Sequence, residues 1–520
     1  MSNEIDVLVV GAGPTGLMLA IELVLGGARV TVLERLTEPD ETIKAGAIGA
    51  LAAEALERRG FKATMDAEER AVAEAMAAMM KTTGVSGSPP ALRKIGGHFA
   101  GIFLIDQTRQ REPERRLRGV RQQALERMLG ARARELGIDV RRGCEVVDFR
   151  QDPEGVEVTA QGADGKFTLR CAYLVGCDGG RSPIRKRTGF EFPGTEPTLT
   201  GHQAIVELDH PEKLLPLGWR RMTNGMLAYG PVPGRILMVE FDGPPADRDI
   251  PITIEEVQCS LRNVSGVEDI TITAMKSATR FTDNARQASS YRCGRVLLAG
   301  DAAHVHSPFG GQGLNLGLLD AVNLGWKLAA VVRGWAPEGL LDTYTQERHP
   351  VAARVLANTR AQVALMRPDA HTSALRDIVA DIMGLDEGNR FFGEMMSGMT
   401  TRYELGDEHS LVGTLCSNLV LTNGENDAEL STLMHGGNGL FVDASGGYAA
   451  RIANAWMPRM HCIAVSEGTS ILVRPDGCIA WASDNGDAEG LELTLKRWFG
   501  SPDWDGQQSV GSTCELLTHS

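Results

Sequence analysis

Two glycine-rich stretches carry the residues whose types and spacing could do chemistry. Gly11-Ala12-Gly13-Pro14-Thr15-Gly16 follows an apolar run and opens a segment of helical spacing, and Glu34 stands eighteen residues after Gly16. Glycines at such a turn let the main chain approach a pyrophosphate at a helix N-terminus, while a carboxylate closing the next strand accepts ribose hydroxyls. Glu34, followed by Arg35, favours an adenosine ribose without a 2′-phosphate, as in FAD or NAD. The second stretch, "GDAAHVHSPFGGQGLNLGLLD", runs from Gly300 to Asp320. Asp301 there could accept a hydroxyl of a flexible polyol. Gly310, Gly311 and Gly313 let main chain approach a flat ring, and the helix that begins with Leu314 and Asn315 aims free N–H groups at developing negative charge. His304 and His306 lack further ligands at a familiar spacing, so no metal site is read. No Gly-Lys-Ser/Thr follows the glycines, which excludes a P-loop. Two segments about 290 residues apart that hold the ends of one large dinucleotide suit FAD better than NAD.

A third element, "YLVGCDGGRSPIRKRTG", passes from a strand into an Asp-Gly turn and a basic helix start. Asp178 could bridge to the pyrophosphate region through water. Arg181, Arg185, Lys186 and Arg187 read either as a solvated cationic helix end or as an attraction for the phosphates of a transient nicotinamide nucleotide.

These residues need a scaffold that brings distant turns together. "IDVLVV", then "TGLMLAIELVLGG", then "ARVTVLE" reads as strand, helix, strand, hence a parallel sheet. Residues 63 to 80 are helix formers, followed by a breaker-rich loop, "TTGVSGSPP". Between 198 and 284 the texture changes to β-like pieces, "HQAIVEL", "RILMVEFD" and "DITITAM", which predict a second, mostly antiparallel layer. Helical texture returns after "CGRVLLAGD" and lasts to about 395. The stretch 396 to 410 reads as a linker, and "TSILVRPDG" with "CIAWAS" predicts a hairpin in a separate C-terminal α/β domain. The organisation expected is an α/β protein with a discontinuous dinucleotide-binding domain over 1–178 and 285–395. A β-rich substrate domain over 179–284, to which the 81–105 region contributes, and a domain over 405–520 complete it.

A chain of 520 residues with 43% hydrophobic and 23% charged residues reads as globular, with two to four domains. Its formal net charge of −14 argues against nucleic acid or an anionic membrane as the main partner and for a small molecule. Nine scattered cysteines without a Cys-x-x-Cys pair suggest neither a disulfide framework nor a zinc cluster. With no signal-like N-terminus and no apolar run of membrane-spanning length, the expected location is the cytoplasm, and a homo-oligomer is left open.

The three motifs together resemble those of the class A flavoprotein monooxygenases, the single-component FAD aromatic hydroxylases. The matching pieces are "GAGPTG…VLER", "CDGGRSPIRK" and "GDAAHVHSPFGGQGLNLGLLDAVNLGWKL", and "GVRQQALERML" is similar to the family segment whose glutamine meets the ribitol, which places Gln122 there. "MSGMTTRYELGDEHSLVG" and "ILVRPDGCIAWAS" resemble the thioredoxin-like C-terminal domain of the polyketide and phenol hydroxylase branch. Many relatives have arginine where this chain has Lys44, and a point-like ammonium does not replace a planar fork. Arg121 stands where proline is frequent.

What the resemblance implies is a monooxygenase that uses FAD, NADPH or NADH, and O2 to hydroxylate an aromatic polyketide or a related phenolic or quinone substrate through a flavin C4a-hydroperoxide. It assigns the Pro308 carbonyl as acceptor for the hydroperoxide proton, with water excluded from the site. Candidate substrate contacts from the middle layer are His202, Trp219, Arg220, Arg221, Met226 and Tyr229. Two other readings stay open: a Baeyer-Villiger or rearranging oxygenation of a polyketide, and a flavin-bound polyketide-binding protein that oxygenates nothing.

Overall fold

A computed structural model describes residues 5–42, 44–82, 95–230, 232–247, 250–423 and 426–502. The breaker-rich loop expected after residue 80 falls largely outside them. Ile5–Val10 and Val30–Glu34 pair in parallel, joined by the helix Pro14–Leu25. The second half of the long strand Gly165–Gly176 pairs in parallel with Ile5–Val10 on the other side, and Val296–Leu298 joins it in turn. The chain therefore leaves this sheet after Gly176 and returns to it more than a hundred residues later. Asp139–Arg142 closes the far edge, and an antiparallel meander, Glu145–Gln151 and Val156–Gly162, runs off the first half of Gly165–Gly176. Fully buried Val7, Leu8 and Val9 are β-branched or aliphatic on both faces, as a strand covered by helices requires.

Two helices cross over this sheet on small residues. A methyl on Gly317 would overlap Thr15 Oγ1, one on Gly325 would overlap Glu22, and one on Gly26 would overlap Ala329. The helices Pro14–Leu25 and Gln312–Val332 therefore approach backbone to backbone, and this crossing draws the two distant glycine turns together.

A five-stranded antiparallel sheet forms the middle layer, in the order Gly218–Met222, Gly225–Tyr229, Arg235–Glu240, Thr200–Leu208, Ile272–Phe281. The helix Ile254–Ser265 covers one face, where Ala204, Val206, Leu227, Ile236 and Met238 pack on Val257 and Leu261. The other face meets the hairpin Ile95–Phe99 / Ile102–Asp106 and the helices Thr343–Met366, Ala370–Gly384 and Asp386–Ser397.

The C-terminal unit has a four-stranded sheet, Met460–Ala464, Gly439–Asp443, Ser470–Val473, Ile479–Ser483, with one parallel and two antiparallel pairings. Pro475-Asp476-Gly477 makes the expected hairpin turn, closed by Arg474 N–H donating to the Cys478 carbonyl at 2.8 Å. The stretch read as a linker is not a loose connection: Tyr403 and Leu405 are buried, and Tyr403 pairs by backbone with Gly413. Its aromatic and aliphatic residues had a partner surface that composition alone does not reveal. No disulfide links the eight cysteines among the described residues. Among those residues no helix is long and apolar enough to cross a membrane, and no cluster of three metal-ligating side chains forms.

Candidate active site

All three motifs leave the carboxyl ends of adjacent parallel strands, and backbone hydrogen bonds set them side by side. Gly11 N–H donates to Leu33 O at 2.8 Å, Cys177 N–H to Val10 O at 2.8 Å, and Ala299 N–H to Gly176 O at 3.0 Å. Ligands gather at such strand ends in open α/β sheets. One groove runs across them. A cavity of about 350 Å³ lined by Gly11, Gly13, Pro14, Glu34, Arg35, Lys44, Gln122 and Asp178 opens into one of about 800 Å³ that holds Thr15, Asp301, Pro308, Gly311, Gly313 and Leu314. Gly13, Pro14, Lys44, Gln122, Cys177 and Arg181 border both.

At the narrow end, a methyl on Gly11 would overlap the Cys177 carbonyl and one on Gly16 the Gly11 carbonyl, whereas Gly13 has open space where its Cβ would stand. Two glycines thus tighten the turn and the third leaves the groove clear. Glu34 sits on the rim, Oε2 accepting from Ala12 N–H at 2.7 Å and Oε1 from Leu36 N–H at 2.9 Å, so its carboxylate is fixed in direction. Asp178 accepts from Ile184 N–H through Oδ2 at 3.1 Å, while its Oδ1 is buried without a partner. Burial pushes this carboxyl up against those hydrogen bonds. Lys44 pairs with Asp40 at 2.8 Å and is half exposed. Burial works to raise Asp40, yet hydrogen bonds from Lys44 and Thr42 hold it at about 2. Gln122 opens its helix with N–H on Ala45 O at 2.9 Å and its side-chain amide on Glu126 at 2.9 Å. Of the basic residues after Asp178, Arg185 is committed to structure: it donates to Ala302 O and Gly180 O, both at 2.8 Å, and stacks on Phe192. Arg187 pairs with Asp148 at 3.3 Å. Arg185, 4% exposed and bound to two carbonyls, is taken up by the fold, whereas Arg187 is half exposed and keeps donors beyond its contact with Asp148.

At the wide end, Gly300 adopts φ +61 above Thr15, where a side chain would strike Thr15 Oγ1 at 2.8 Å. Its N–H donates to Asp320 Oδ2 at 3.1 Å. Asp320 also meets His304 Nε2 at 2.6 Å and Arg348 Nε at 2.7 Å, all of them fully buried. His304 is thus an anchor for the turn. Asp301, next to Gly300, is exposed to the cavity. The Pro308 carbonyl accepts Gly311 N–H at 3.1 Å, so one of its two lone pairs is already used. Gly311, at φ +63, precedes the helix Gln312–Val332, whose first N–H groups have no carbonyl one turn back. The Asn315 side chain accepts from Gly49 N–H at 2.7 Å and donates to Gly311 O at 2.9 Å; it clasps two loops together.

Of the six substrate contacts expected from the middle sheet, Trp219 lines the 800 Å³ cavity and the other five do not. His202 points to the opposite face and binds Glu256 at 2.7 Å, in phase with Ala204 and Val206 in the core beneath the covering helix. Tyr229 shares that core face. Arg220 donates to the Leu214 and Leu215 carbonyls, and Arg221 to Ser373 Oγ at 2.8 Å and to the Arg367 carbonyl. Met226 faces the right side but is sealed beneath Gly101 at 1% exposure. Strand alternation is the reason for His202 and Tyr229, since a shift of one residue moves a side chain to the other face, whereas Arg221 and Met226 are taken up by bonds and packing. Not among the expected contacts, but lining this cavity, are Gln203, Arg235, Leu237, Thr279 and Phe281 of the sheet, His98 of the hairpin strand Ile95–Phe99, and Phe309. The apolar phase of Ala204 and Val206 was the available signal that Gln203 rather than His202 faces the cavity. Arg235 donates to Gln203 at 2.9 Å and keeps a buried Nε without a partner.

Fit to a dinucleotide can be read from these features. A clear path at Gly13, a buried acceptor at Asp178 short of one donor, a helix N-terminus and a fixed Glu34 suit an extended FAD better than a compact ligand. A chain built this way is an FAD-dependent monooxygenase of the aromatic-ring hydroxylase class. Residues 4–359 match the family described as FAD binding domain, and residues 409–502 match the C-terminal domain of aromatic-ring hydroxylases, so the chain belongs to that FAD-binding family. It is 40% identical to a 12-dehydrotetracycline 5-monooxygenase/anhydrotetracycline 6-monooxygenase of Streptomyces rimosus subsp. rimosus, over 96% of this chain and 99% of that protein. A rifampicin monooxygenase of Streptomyces venezuelae is 39% identical over 95% of this chain and 99% of its own length. The solved structure of anhydrotetracycline hydroxylase from Streptomyces rimosus superposes with a TM-score of 0.84 at 39% identity, covering 96% of this chain and 99% of that one.

Proposed function

We propose that this monooxygenase hydroxylates the aromatic ring system of a polycyclic polyketide or related phenol or quinone, using NADPH or NADH as the reductant. When bound, FAD supplies the reduction of dioxygen and the transfer of one oxygen atom to the substrate. The residues do the rest. Gly11, Gly13, Pro14, Thr15 and Gly16 carry the pyrophosphate to a helix N-terminus, Glu34 accepts the ribose hydroxyls, and Arg35 and Lys44 flank the groove. Gln122 and Asp301 would hold the polyol, Asp178 would close the pyrophosphate region, and Gly300 and Pro308 shape the second glycine turn. Gly311, Gly313, Leu314 and Asn315 present the helix start, where unpaired N–H groups stabilise negative charge.

The observation that carries this reading is the single groove that joins the two glycine turns and widens into a cavity of about 800 Å³ walled by Trp219, Phe281, Phe309 and Leu237. That volume is near the top of the about 300–1,000 Å³ range of small-ligand pockets and leaves room beside a flat cofactor ring. The aromatic walls exclude water from the reacting edge. Gln203, Arg235 and Thr279 give the same cavity one polar side, which matches a flat ring system oxygenated along one margin. Nothing in the site favours ring expansion over hydroxylation.

The test is a visible spectrum of the purified protein, followed by NADPH and NADH oxidation with anhydrotetracycline, rifampicin and hydroxylated anthraquinones under labelled dioxygen. Flavin absorption and incorporation of one labelled oxygen into a product ring are expected. A colourless protein that does not take up added FAD, or oxidation without labelled product for every compound, overturns the reading. Asp301→Ala should weaken FAD retention at least about tenfold, as loss of one well-placed acceptor does.

A further inference from the structure

Two loops of the cavity wall are set against one side chain. Gln362, fully buried in the helix Thr343–Met366, accepts from Ala100 N–H through Oε1 at 3.1 Å. A side chain on Gly310 would lie 3.0 Å from Gln362 Nε2. Gln362 therefore holds the tip of the hairpin Ile95–Phe99 / Ile102–Asp106 and packs beside the Phe309–Gly311 turn, while its Nε2 donates to Asn358 Oδ1 at 3.3 Å. At that tip Ala100 has φ 52, a left-handed conformation that a residue with a Cβ adopts only when its surroundings impose it. Here they do: besides Gln362, Arg376 donates to the Ala100 carbonyl at 2.7 Å.

The strained tip orients His98. Its Nδ1 accepts from Gly101 N–H at 3.2 Å, and its ring lies 4.9 Å from Phe103 and 5.8 Å from Trp219. His98 borders the 800 Å³ cavity and a neighbouring one of about 580 Å³; Trp219, Gly310 and Gly311 also border both. A backbone N–H can only donate, so Nδ1 must offer a lone pair. Burial pushes the imidazole down to about 4, so the ring is neutral near pH 7 and its one proton is on Nε2. Among the described residues Nε2 has no protein partner. His98 thus brings a donor to the junction of the two cavities, and in this tautomer it cannot serve as a general base.

We propose that His98 is a substrate-positioning residue: with Nδ1 committed to Gly101, its Nε2–H donates to a carbonyl or phenol oxygen of an aromatic polycycle that lies against Trp219. The assignment rests on the hydroxylase reading for the kind of substrate, and it specifies one oxygen that the substrate must carry. It also gives the Ala100 turn a purpose, since Gln362 and Arg376 fix that turn and with it the place of the His98 donor.

The test uses flavin-loaded enzyme and 1,8-dihydroxyanthraquinone as the probe, titrated into wild type, His98→Phe and His98→Gln. His98→Phe keeps a ring against Trp219 and loses the donor; it should bind the quinone about tenfold more weakly with unchanged flavin content. His98→Gln restores a donor and should return to within about threefold of wild type. Nitrogen-15 spectra of histidine-labelled enzyme should show His98 protonated on Nε2 and that signal shifting on addition of the quinone. Equal affinity in wild type and His98→Phe, a glutamine variant as weak as the phenylalanine one, a proton on Nδ1, or no binding by wild type overturns the proposal. Quinone binding with the stated dependence on His98 but no oxygenated product from any compound would leave His98 in place and remove the hydroxylase reading. Oxygenation with no dependence on His98 would do the reverse.

Discussion

Asp320 shows how one buried side chain sets the geometry of a turn it does not belong to. Its two oxygens take Gly300 N–H, His304 and Arg348, and Arg348 continues to the Tyr403 hydroxyl at 3.1 Å and the Leu316 carbonyl at 3.1 Å. Burial acts to raise the Asp320 carboxyl, but Arg348 and His304 outweigh it and keep it ionised. Asp320→Asn halves the acceptor capacity and leaves Arg348 a buried cation without its counter-charge. Breaking one partner of a buried pair costs about 3–5 kcal/mol. Thermal unfolding followed by flavin fluorescence should show that loss, and FAD titration should show weaker uptake, because Gly300 and Asp301 lose their tether. Unchanged FAD affinity in a destabilised variant would mean that the turn keeps its shape without Asp320. Much at this scale was legible in the chain itself: glycine, acid and strand placed the groove residues, since backbone approach has few chemical solutions. The substrate face was less legible because polar residues such as His202 and Gln203 sit next to each other on one strand, and only their packing partners separate them.

At the scale of elements, the crossing of Pro14–Leu25 with Gln312–Val332 is the joint that makes one groove out of two turns. Gly317→Ala forces a methyl into Thr15, beneath Gly300, and should destabilise the protein by about 1–3 kcal/mol, as overpacking does. It should also lower flavin occupancy in the purified protein. Gly130→Ala makes a useful contrast: it lies inside the helix Gln122–Glu135, where the nearest atom to a new methyl is the flexible end of Arg134 at 3.8 Å. That change should stabilise by about 0.5–1 kcal/mol, with flavin content unaffected. Both numbers follow from denaturant or thermal unfolding. If the two variants behaved alike, close approach at Gly317 would not be what holds the helices in place. Period and turn chemistry made these two helices and Lys62–Thr82 readable, though not Ile254–Ser265, which lies in the stretch read as β-like; the crossing pairs residues 15 and 317, and no local pattern encodes such a pairing.

Across the whole molecule, the C-terminal unit docks through charge as well as apolar area. Arg474, fully buried, donates twice to Glu347 at 2.7 and 2.8 Å, pairs with Asp476, and stacks on Trp498. Lys327 reaches the same carboxylate at 2.8 Å. Arg59 ties Glu22 to the Met434 and Pro475 carbonyls at 2.7 to 3.0 Å. The hairpin turn read from "RPDG" is thus also a plug in the floor of the cofactor-binding half, a role invisible in a motif that predicts only a change of direction. Burial acts to raise Glu347, but Arg474 and Lys327 hold it well below the usual carboxylate value of 4.5. A carboxyl held down in the folded state contributes stability that is present above its unfolded value and is lost as the pH falls. Wild type should therefore lose stability progressively below about pH 4.5, and Glu347→Gln, weaker at pH 7 by about 3–5 kcal/mol, should show a shallower fall. Parallel acid profiles for the two proteins would rule Glu347 out as the source.

The return of the chain to its first sheet has a consequence for biosynthesis. The narrow end of the groove emerges from the ribosome with the first strands, yet Gly300, Asp301 and the helix that completes the wide end follow about 290 residues later. At about 5–20 residues per second, roughly 15 to 60 seconds separate the two events. Throughout that interval the nascent chain has half a cradle, and the groove is whole only once translation has passed the second turn.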